Sequence, residues 1–546
     1  MKESLCRKLL SGITLCAVFL CSSCISQICN RPVPINNPDI GGGKILLYTT
    51  EGDFKGAANV GHLPDMVTFL PDGNGLVSAN EGEPADDYSV DPKGSVSIIT
   101  LNKKVDGLVQ DVTTLTFEGV KVPDNVRIKP GSTPDVDLEP EYVAVNEDGS
   151  KAWVTLQENN ALAIVDLKDK SIMAVKSLGA KDFDTIDIDS KDGAKVSKAP
   201  ENVFGLYQPD TIVAYRTGGA DYVVTANEGD DREYDAWEDY AKAASLKKKK
   251  GARFSPQLDR DILGQKGKKK LRILKDMGKD ANGVYTQLYL AGTRSFSIWD
   301  ADGNQVYDSG NDFETYLAAN YAKVFNTRVD DVKKQKDIDE LKEDNIPYEI
   351  IGKKAYFWEG VDARSQKKGC EPEALALTKI GSKTFAYIGL EKQGGLFIYD
   401  ITNPKSPVFV DYFNDIKYDA LPTRSGDLAP EGMVAFVQDK KHYLAVANEL
   451  SGTIAVYQLA NDGRAKKLDS LNVGSFDEGA AEILAYDSKG KQLFVTNGEL
   501  KTIDIIDVAA PDKLVKSGKI DFSDHADSLQ SVSVKNGLVA IAVERK

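Results

Sequence analysis

Signatures of familiar catalysis are scarce in this sequence. Its three histidines, His62, His442 and His525, stand far apart along 546 residues. It has no HExxH helix motif, no GxSxG nucleophile elbow and no P-loop. A histidine-zinc protease, a Ser–His–Asp hydrolase and a phosphate-loop NTPase therefore find no support. Cysteine is almost confined to the start: five of the six fall within the first 29 residues, and Cys370 is the sixth. No disulfide framework is expected, even for an exported chain. Basic residues are outnumbered, 68 against 83 acids, for a net charge of −15. Nucleic acid is excluded as a natural partner, and cations are favoured. No apolar run is long enough to span a membrane with confidence; Leu9 to Cys21 is too short.

What the chain has is a repeat. In LEPEYVAVNEDGSKAWVTLQENNALAIVDL, from Leu138 to Leu167, three short strands follow one another with hairpin signals between them. An acid follows a proline ahead of the first strand (Pro140-Glu141), and a second acid, Glu158, ends the second strand. The first feature recurs at Pro64-Asp65, Pro209-Asp210, Pro372-Glu373 and Pro430-Glu431, and as Ala481-Glu482. The second recurs at Glu81, Glu228, Glu391 and Glu449, and as Asn497-Gly498-Glu499. Short strands at a period above about 40 residues predict an all-β, seven-bladed β-propeller. Lys44 to Thr50 reads as a third strand without a first, and Ser528 to Glu544 as a first and second without a third. The two ends are therefore expected to share one closing blade within a propeller over 44–546.

Two insertions interrupt the pattern, at about 229–284 and 308–370. The first carries an expected helix from Tyr234 to Leu246 and two lysine runs, Lys247 to Lys250 and Lys268 to Lys270, read as solvated faces of a mobile loop. The second is charged and mostly helix-like from Phe313 to Asn345. Residues 1–24 read as a signal peptide: Lys2, Arg7 and Lys8, an apolar stretch, then Leu20-Cys21-Ser22-Ser23-Cys24. The last resembles a bacterial lipobox with Cys24 as the lipidated residue. Residues 25–43 read as a flexible tether.

Neighbouring strands of a blade are antiparallel, so the start of the first lies beside the end of the second. Asp65, Glu81, Glu141, Glu158, Asp210, Glu228, Glu373, Glu391, Glu431 and Glu449 should then meet on one rim. Asp230 and Asp231 join them from the loop after Glu228. Such crowding should raise their pKa values unless cations or N–H groups offset the charge. One reading is a Ca²⁺ or Mg²⁺ site; the other is a set of staples that bond the next blade and bind nothing. Arg232 and Arg364 are candidates to grip a phosphate or carboxylate, or else to form salt bridges. Asp187, Asp189 and Asp192 approach a calcium loop but miss its spacing, and read as a solvated turn. Cys370 beside Glu371 reads as incidental.

With these residues laid out, the chain resembles the choice-of-anchor I family, which includes proteins named after the mesenchyme-specific cell surface glycoprotein. The resemblance rests on LPDMVTFLPDGNGLVSANEGEP, AWVTLQENNALAIVD, YVVTANEGDDREY, LYLAGTRSFSIWDADG and GCEPEALAL. It implies a secreted or surface-anchored seven-bladed propeller. Some members are labelled alkaline phosphatase, but the resemblance supplies no catalytic residues. The stretch AEILAYDSKGKQLFVTNG comes late here and early in the family pattern, as in a circular permutation.

The expected protein is an anchored lipoprotein of a bacterial cell envelope, periplasmic or at the surface. It acts as a ligand-binding or adhesion module, with a divalent cation at its acidic face. Its partner is an extracytoplasmic phosphate, glycan or protein; it meets a membrane only through its lipid. The alternatives are a metal-dependent phosphoesterase and a purely structural surface protein.

Overall fold

Strand pairs dominate the structure. The computed structural model describes residues 42–102, 104 and 107–544. The expected signal peptide, Cys24 and the expected tether up to residue 41 lie outside the described residues. Among the described residues, no helix is long and apolar enough to cross a membrane.

Seven four-stranded antiparallel sheets account for the repeat. Sheet two runs Pro64–Phe69, Gly75–Asn80, Ser95–Leu101, Val109–Thr116, and sheet three Pro140–Val145, Lys151–Leu156, Ala161–Asp166, Ser171–Ser177. Sheets four to seven begin at Ile212–Thr217, Pro372–Ile380, Pro430–Gln438 and Leu484–Asp487. Sheet one joins the chain ends. Ser528–Lys535 and Leu538–Glu544 are followed by Lys44–Thr49 and Phe54–Asn59, with Leu46 opposite Ile541.

The second and third strands of each sheet are buried on both faces, as in Lys151–Leu156 and Ala161–Asp166. Their continuous apolar runs pack against sheets on either side. Trp153 and Ile164 of sheet three meet Val223 and Trp299 of sheet four. Phe296 of sheet four packs on Tyr399 of sheet five, with ring centroids 4.8 Å apart. Ile503 and Ile505 of sheet seven share a core with Val539 and Ile541 of sheet one. Ile45 and Leu47 of sheet one share another with Leu76 and Ile99 of sheet two. The fourth strands are half exposed, as Val109–Thr116 shows.

A local device recurs at the start of the sheets. Leu63, Gln208, Glu371 and Ala429, each just before the repeat proline, have φ of +44°, +41°, +53° and +59°. That conformation turns each carbonyl toward the end of the second strand. There it accepts from Glu81 N–H at 2.8 Å, Gly229 N–H at 3.0 Å, Glu391 N–H at 2.8 Å and Glu449 N–H at 2.8 Å, respectively. The two ends are thereby locked together. Immediately after the proline the pairing register slips, so that Asp65, Glu141, Glu373 and Glu431 fall in β-bulges. A bulged residue is free to aim its side chain away from the ladder. The left-handed conformation costs a Cβ-bearing residue about 1 kcal/mol. Ala429→Gly is therefore expected to stabilise the protein by about that much in urea unfolding. Ala445→Gly, inside a buried strand, is expected to destabilise it by about 1 kcal/mol. The same sign at both positions would refute the strain.

Further small elements lie outside the seven sheets. Ala180–Asp182 and Val203–Leu206, from the loop ahead of sheet four, and Leu288–Ala291, just after the first insertion, make a three-stranded sheet over a separate apolar cluster. The expected Tyr234–Leu246 helix is instead Ala243–Lys250, which places Lys247 to Lys250 in its last turn. The residues before it are held by tertiary contacts. Asp239 pairs with Arg127 at 2.6 Å, and Tyr240–Lys242 pairs with Arg272–Leu274. In the second insertion, Asp312–Asn320 and Gln335–Glu343 are helices, separated by the strand Val329–Val332. Phe313 and Leu317 of the first helix enter the core between sheets four and five.

Candidate functional site

The repeat acids converge. Eleven of the twelve predicted carboxylates line one cavity of about 750 Å³: Asp65, Glu81, Glu141, Glu158, Asp210, Glu228, Asp230, Glu373, Glu391, Glu431 and Glu449. Glu482, Glu371 and Glu233 complete its acidic lining. Gln530 holds the place of the acid in sheet one, again in a bulge. Glu499 does not line the cavity; it accepts hydrogen bonds from the backbone N–H and hydroxyl of Ser475, both at 2.7 Å. Asp231, the twelfth, is buried and paired with Arg272 at 3.1 Å.

Of the basic side of the same cavity, sequence reasoning found only Arg364. Arg272, Arg328, Arg364, Lys367, Lys368 and Lys392 line it. All but Lys392 come from the insertions. The repeating sheets therefore supply most of the carboxylates and the insertions most of the cations. The run Lys367-Lys368 just ahead of Pro372-Glu373 was the available signal.

The charges sort into two groups. Lys368 Nζ bridges Glu228 at 2.8 Å and Asp230 at 2.9 Å. Gln157 Nε2 from sheet three donates to the other oxygen of Glu228 at 2.8 Å. Lys392 pairs with Glu391, Arg364 with Glu371, and Arg272 with Glu233. Glu228 thus does act as a staple between sheets. The other nine carboxyls lining the cavity have no ion pair among the described residues: Asp65, Glu81, Glu141, Glu158, Asp210, Glu373, Glu431, Glu449 and Glu482. Asp210 accepts a hydrogen bond from the neighbouring Thr211 hydroxyl. Glu141 Oε2 and Glu158 Oε2 are buried and have no hydrogen-bond partner, on residues 7% and 8% exposed.

Burial and mutual repulsion have the expected electrostatic result. Burial, with the charges of Glu158 and Glu83, pushes Asp65 up to about 7. Glu158 also rises to about 7 and Glu482 to about 8, each mainly through burial. Glu81, Glu141, Asp210, Glu373 and Glu431 are held well above the usual carboxylate range by burial and by neighbouring acids. Glu391, offset by Lys392, goes the other way. Clustered, uncompensated carboxyls with raised pKa values mark a place where a cation would be welcome.

The two arginines singled out from sequence are placed differently. Arg364 lines the cavity. Arg232 does not; it is fully buried, 2.7 Å from Glu139 and 3.4 Å from Asp137. Asp187 is not in a solvated turn as expected, but buried, accepting the Asp189 N–H at 2.9 Å and the Lys195 N–H at 3.1 Å. Its carboxylate lies near those of Asp192 and Asp362, but Asp362 already accepts the N–H groups of Gly193 and Ala194. Cys370 is fully buried among the residues between sheets four and five, and burial pushes its thiol up to about 12. It is expected to resist iodoacetamide at pH 8 in the native protein and to react in urea. Peptide mapping reads both states, and native labelling at Cys370 would contradict this burial.

The choice-of-anchor I domain family matches residues 33–404, well over half of the sequence. The chain belongs to the choice-of-anchor I family. Gigasin-3a of Magallana gigas is 28% identical over 135 residues, 24% of this chain and 40% of that protein; the match spans less than half of that relative. Among solved structures, Kuenenia stuttgartiensis hydrazine synthase is similar with a TM-score of 0.42 and 12% identity, over 89% of this chain and 96% of that one. The Cps50 (Swd1) β-propeller domain of Myceliophteria thermophila is similar with a TM-score of 0.39 and 8% identity, over 89% and 97%. At such scores the likeness transfers nothing about a site or an activity.

Proposed function

We propose that this choice-of-anchor I protein is a seven-bladed β-propeller of the cell envelope, closed by its two chain ends. Its central mouth binds an extracytoplasmic ligand with the help of a divalent cation. The shared apolar cores support the ring, since consecutive sheets share them and sheet seven shares one with sheet one. Export and lipid attachment at Cys24 complete the reading as an anchored binding module.

One observation carries the cation: the buried Glu141 Oε2 and Glu158 Oε2 have no hydrogen-bond partner and sit among carboxyls with no ion pair among the described residues, Arg232 acting on Glu158 only from a distance. Burial and neighbouring acids raise the pKa values of Asp65, Glu81 and Glu141, burial raises that of Glu158, and none of the four has an ion pair among the described residues. Oxygen-only ligands of this kind suit Ca²⁺ first and Mg²⁺ second. Oxygens of Glu228, Glu373 and Glu391 also lie within 4.8 Å of one another. Lys368 and Lys392 already offset that trio, so its demand for a metal is smaller.

Titration calorimetry of the metal-free protein with Ca²⁺ and with Mg²⁺ tests the reading. Binding should release protons, because raised carboxyls must give them up to coordinate. The observed heat should then depend on the ionisation enthalpy of the buffer. No heat and no change in melting temperature with either ion would reject the cation.

A further inference from the structure

We propose that the basic wall of this cavity, centred on Lys367 with Arg364 and Arg328 beside it, is a receptor for an oxyanion, a phosphate or a carboxylate. The ligand is then one whose anionic group faces the cation held on the acidic wall. This deepens the function proposed above and rests on it for the cation, but not for the anion.

Lys367 differs from every other base lining the cavity. Arg272, Arg328, Arg364, Lys368 and Lys392 each have a carboxylate partner. Among the described residues, the Lys367 ammonium has no ion pair and no side-chain hydrogen bond. A lysine normally avoids burial without a partner. This one is half-buried, and its charged neighbours are mixed: Glu359 and Asp330 attract it, while Arg328 and Arg364 repel it. Arg328 is itself held by Glu359 at 3.0 Å and Asp330 at 2.6 Å, so those two acids are already engaged. Arg364 Nε is buried with no hydrogen-bond partner. Three cationic groups with donors to spare face one cavity.

The backbone that presents Lys367 is fixed from several sides. Arg294 Nη2 donates to the carbonyls of Ser365 at 2.9 Å and Lys367 at 3.0 Å. Lys367 N–H donates to Arg364 O at 2.8 Å, and Arg272 N–H to Gln366 O at 2.9 Å. Arg272 of the first insertion and Arg294, just ahead of the third strand of sheet four, therefore hold the loop, and the donors are pre-organised rather than ordered by the ligand. Burial and the two arginines lower the Lys367 pKa to about 8, which gives the receptor a pH dependence that a surface lysine lacks.

Methyl phosphate and acetate are the probes, each titrated by calorimetry into metal-free and Ca²⁺-saturated protein. Lys367→Met is expected to weaken whichever anion binds by about tenfold or more, the worth of a charge-assisted hydrogen bond. Lys248→Met, on an exposed helix, should change nothing. Wild-type affinity should fall between pH 7 and pH 9 as Lys367 loses its proton, and the variant should lack that fall. Preference for methyl phosphate over acetate identifies a phosphate ligand, and the reverse a carboxylate. Calcium binding without any anion binding would overturn this inference and leave the cation standing. So would anion binding that Lys367→Met leaves within twofold. Anion binding that needs Lys367, with no Ca²⁺ heat, would remove the cation and keep the receptor.

Discussion

Metal-free protein is expected to lose stability between pH 5.5 and pH 8, by about 2 kcal/mol for each strongly raised carboxyl, and to regain it with Ca²⁺. The sign follows from proton binding. Asp65 and Glu158 hold their protons up to about 7, and Glu482 up to about 8. In the unfolded chain the same groups let go near pH 4. Between those limits the folded state binds more protons than the unfolded one, so stability declines as pH rises. By pH 8 the penalty is nearly complete for Asp65 and Glu158, while Glu482 is about half ionised. A divalent cation supplies the missing positive charge and reverses the loss, and its effect should be greater at pH 8 than at 5.5. At a hundredfold excess over its dissociation constant, the gain is about 2.7 kcal/mol, a melting shift of a few degrees. Glu158→Gln should stabilise the metal-free protein at pH 8 and abolish most of the Ca²⁺ increment. Urea unfolding at the two pH values, with and without Ca²⁺, reads all of this. A flat or rising pH profile in the metal-free protein would show that the cavity carboxyls are not under strain.

Coupling between the two chain ends is the other large effect. Leu46 and Ile541 stand opposite each other in sheet one, almost 500 positions apart in sequence, and share one buried core. Leu46→Ala and Ile541→Ala are each expected to cost about 2–5 kcal/mol. Because they line the same contact, the double variant should fall short of the sum by about 0.5–3 kcal/mol. Each variant should also loosen the contacts to sheets two and seven, which depend on sheet one for their neighbour. Hydrogen exchange should then show faster opening in Gly75–Asn80 and Thr502–Asp507 together. Strict additivity, or exchange changes limited to the mutated strands, would deny that sheet one ties the ends into a common core.

Much of the site was legible because its residues are periodic. Pro64-Asp65, Pro140-Glu141, Pro372-Glu373 and Pro430-Glu431 announce themselves by repetition, and antiparallel pairing puts each beside the acid that ends the next strand. The non-repeating parts hid their meaning. The helix expected from Tyr234 fails to start there because Asp239 is drawn to Arg127 and Tyr240–Lys242 finds a strand partner, both through residues distant in sequence. Asp187 read as a solvated turn, yet tertiary packing buries it against its own loop. Arg232 and Arg364 looked alike in sequence. One is locked behind the wall by Glu139, and the other is part of the wall.

Composition and repetition alone were enough to settle an all-β chain of recurring strand units, the pairing of its two ends and a concentration of acid at one recurrent place. The strand units and their acids are local properties, since strand period and turn residues act within a few residues of themselves; the pairing of the ends is long-range but legible, because each end holds the strands the other lacks. Which carboxyls stay without an ion pair, and where a lysine is left unpaired beside them, depends on the two insertions that line the same cavity. Charge compensation acts through space across contacts of low sequence proximity, and only the tertiary structure decided it.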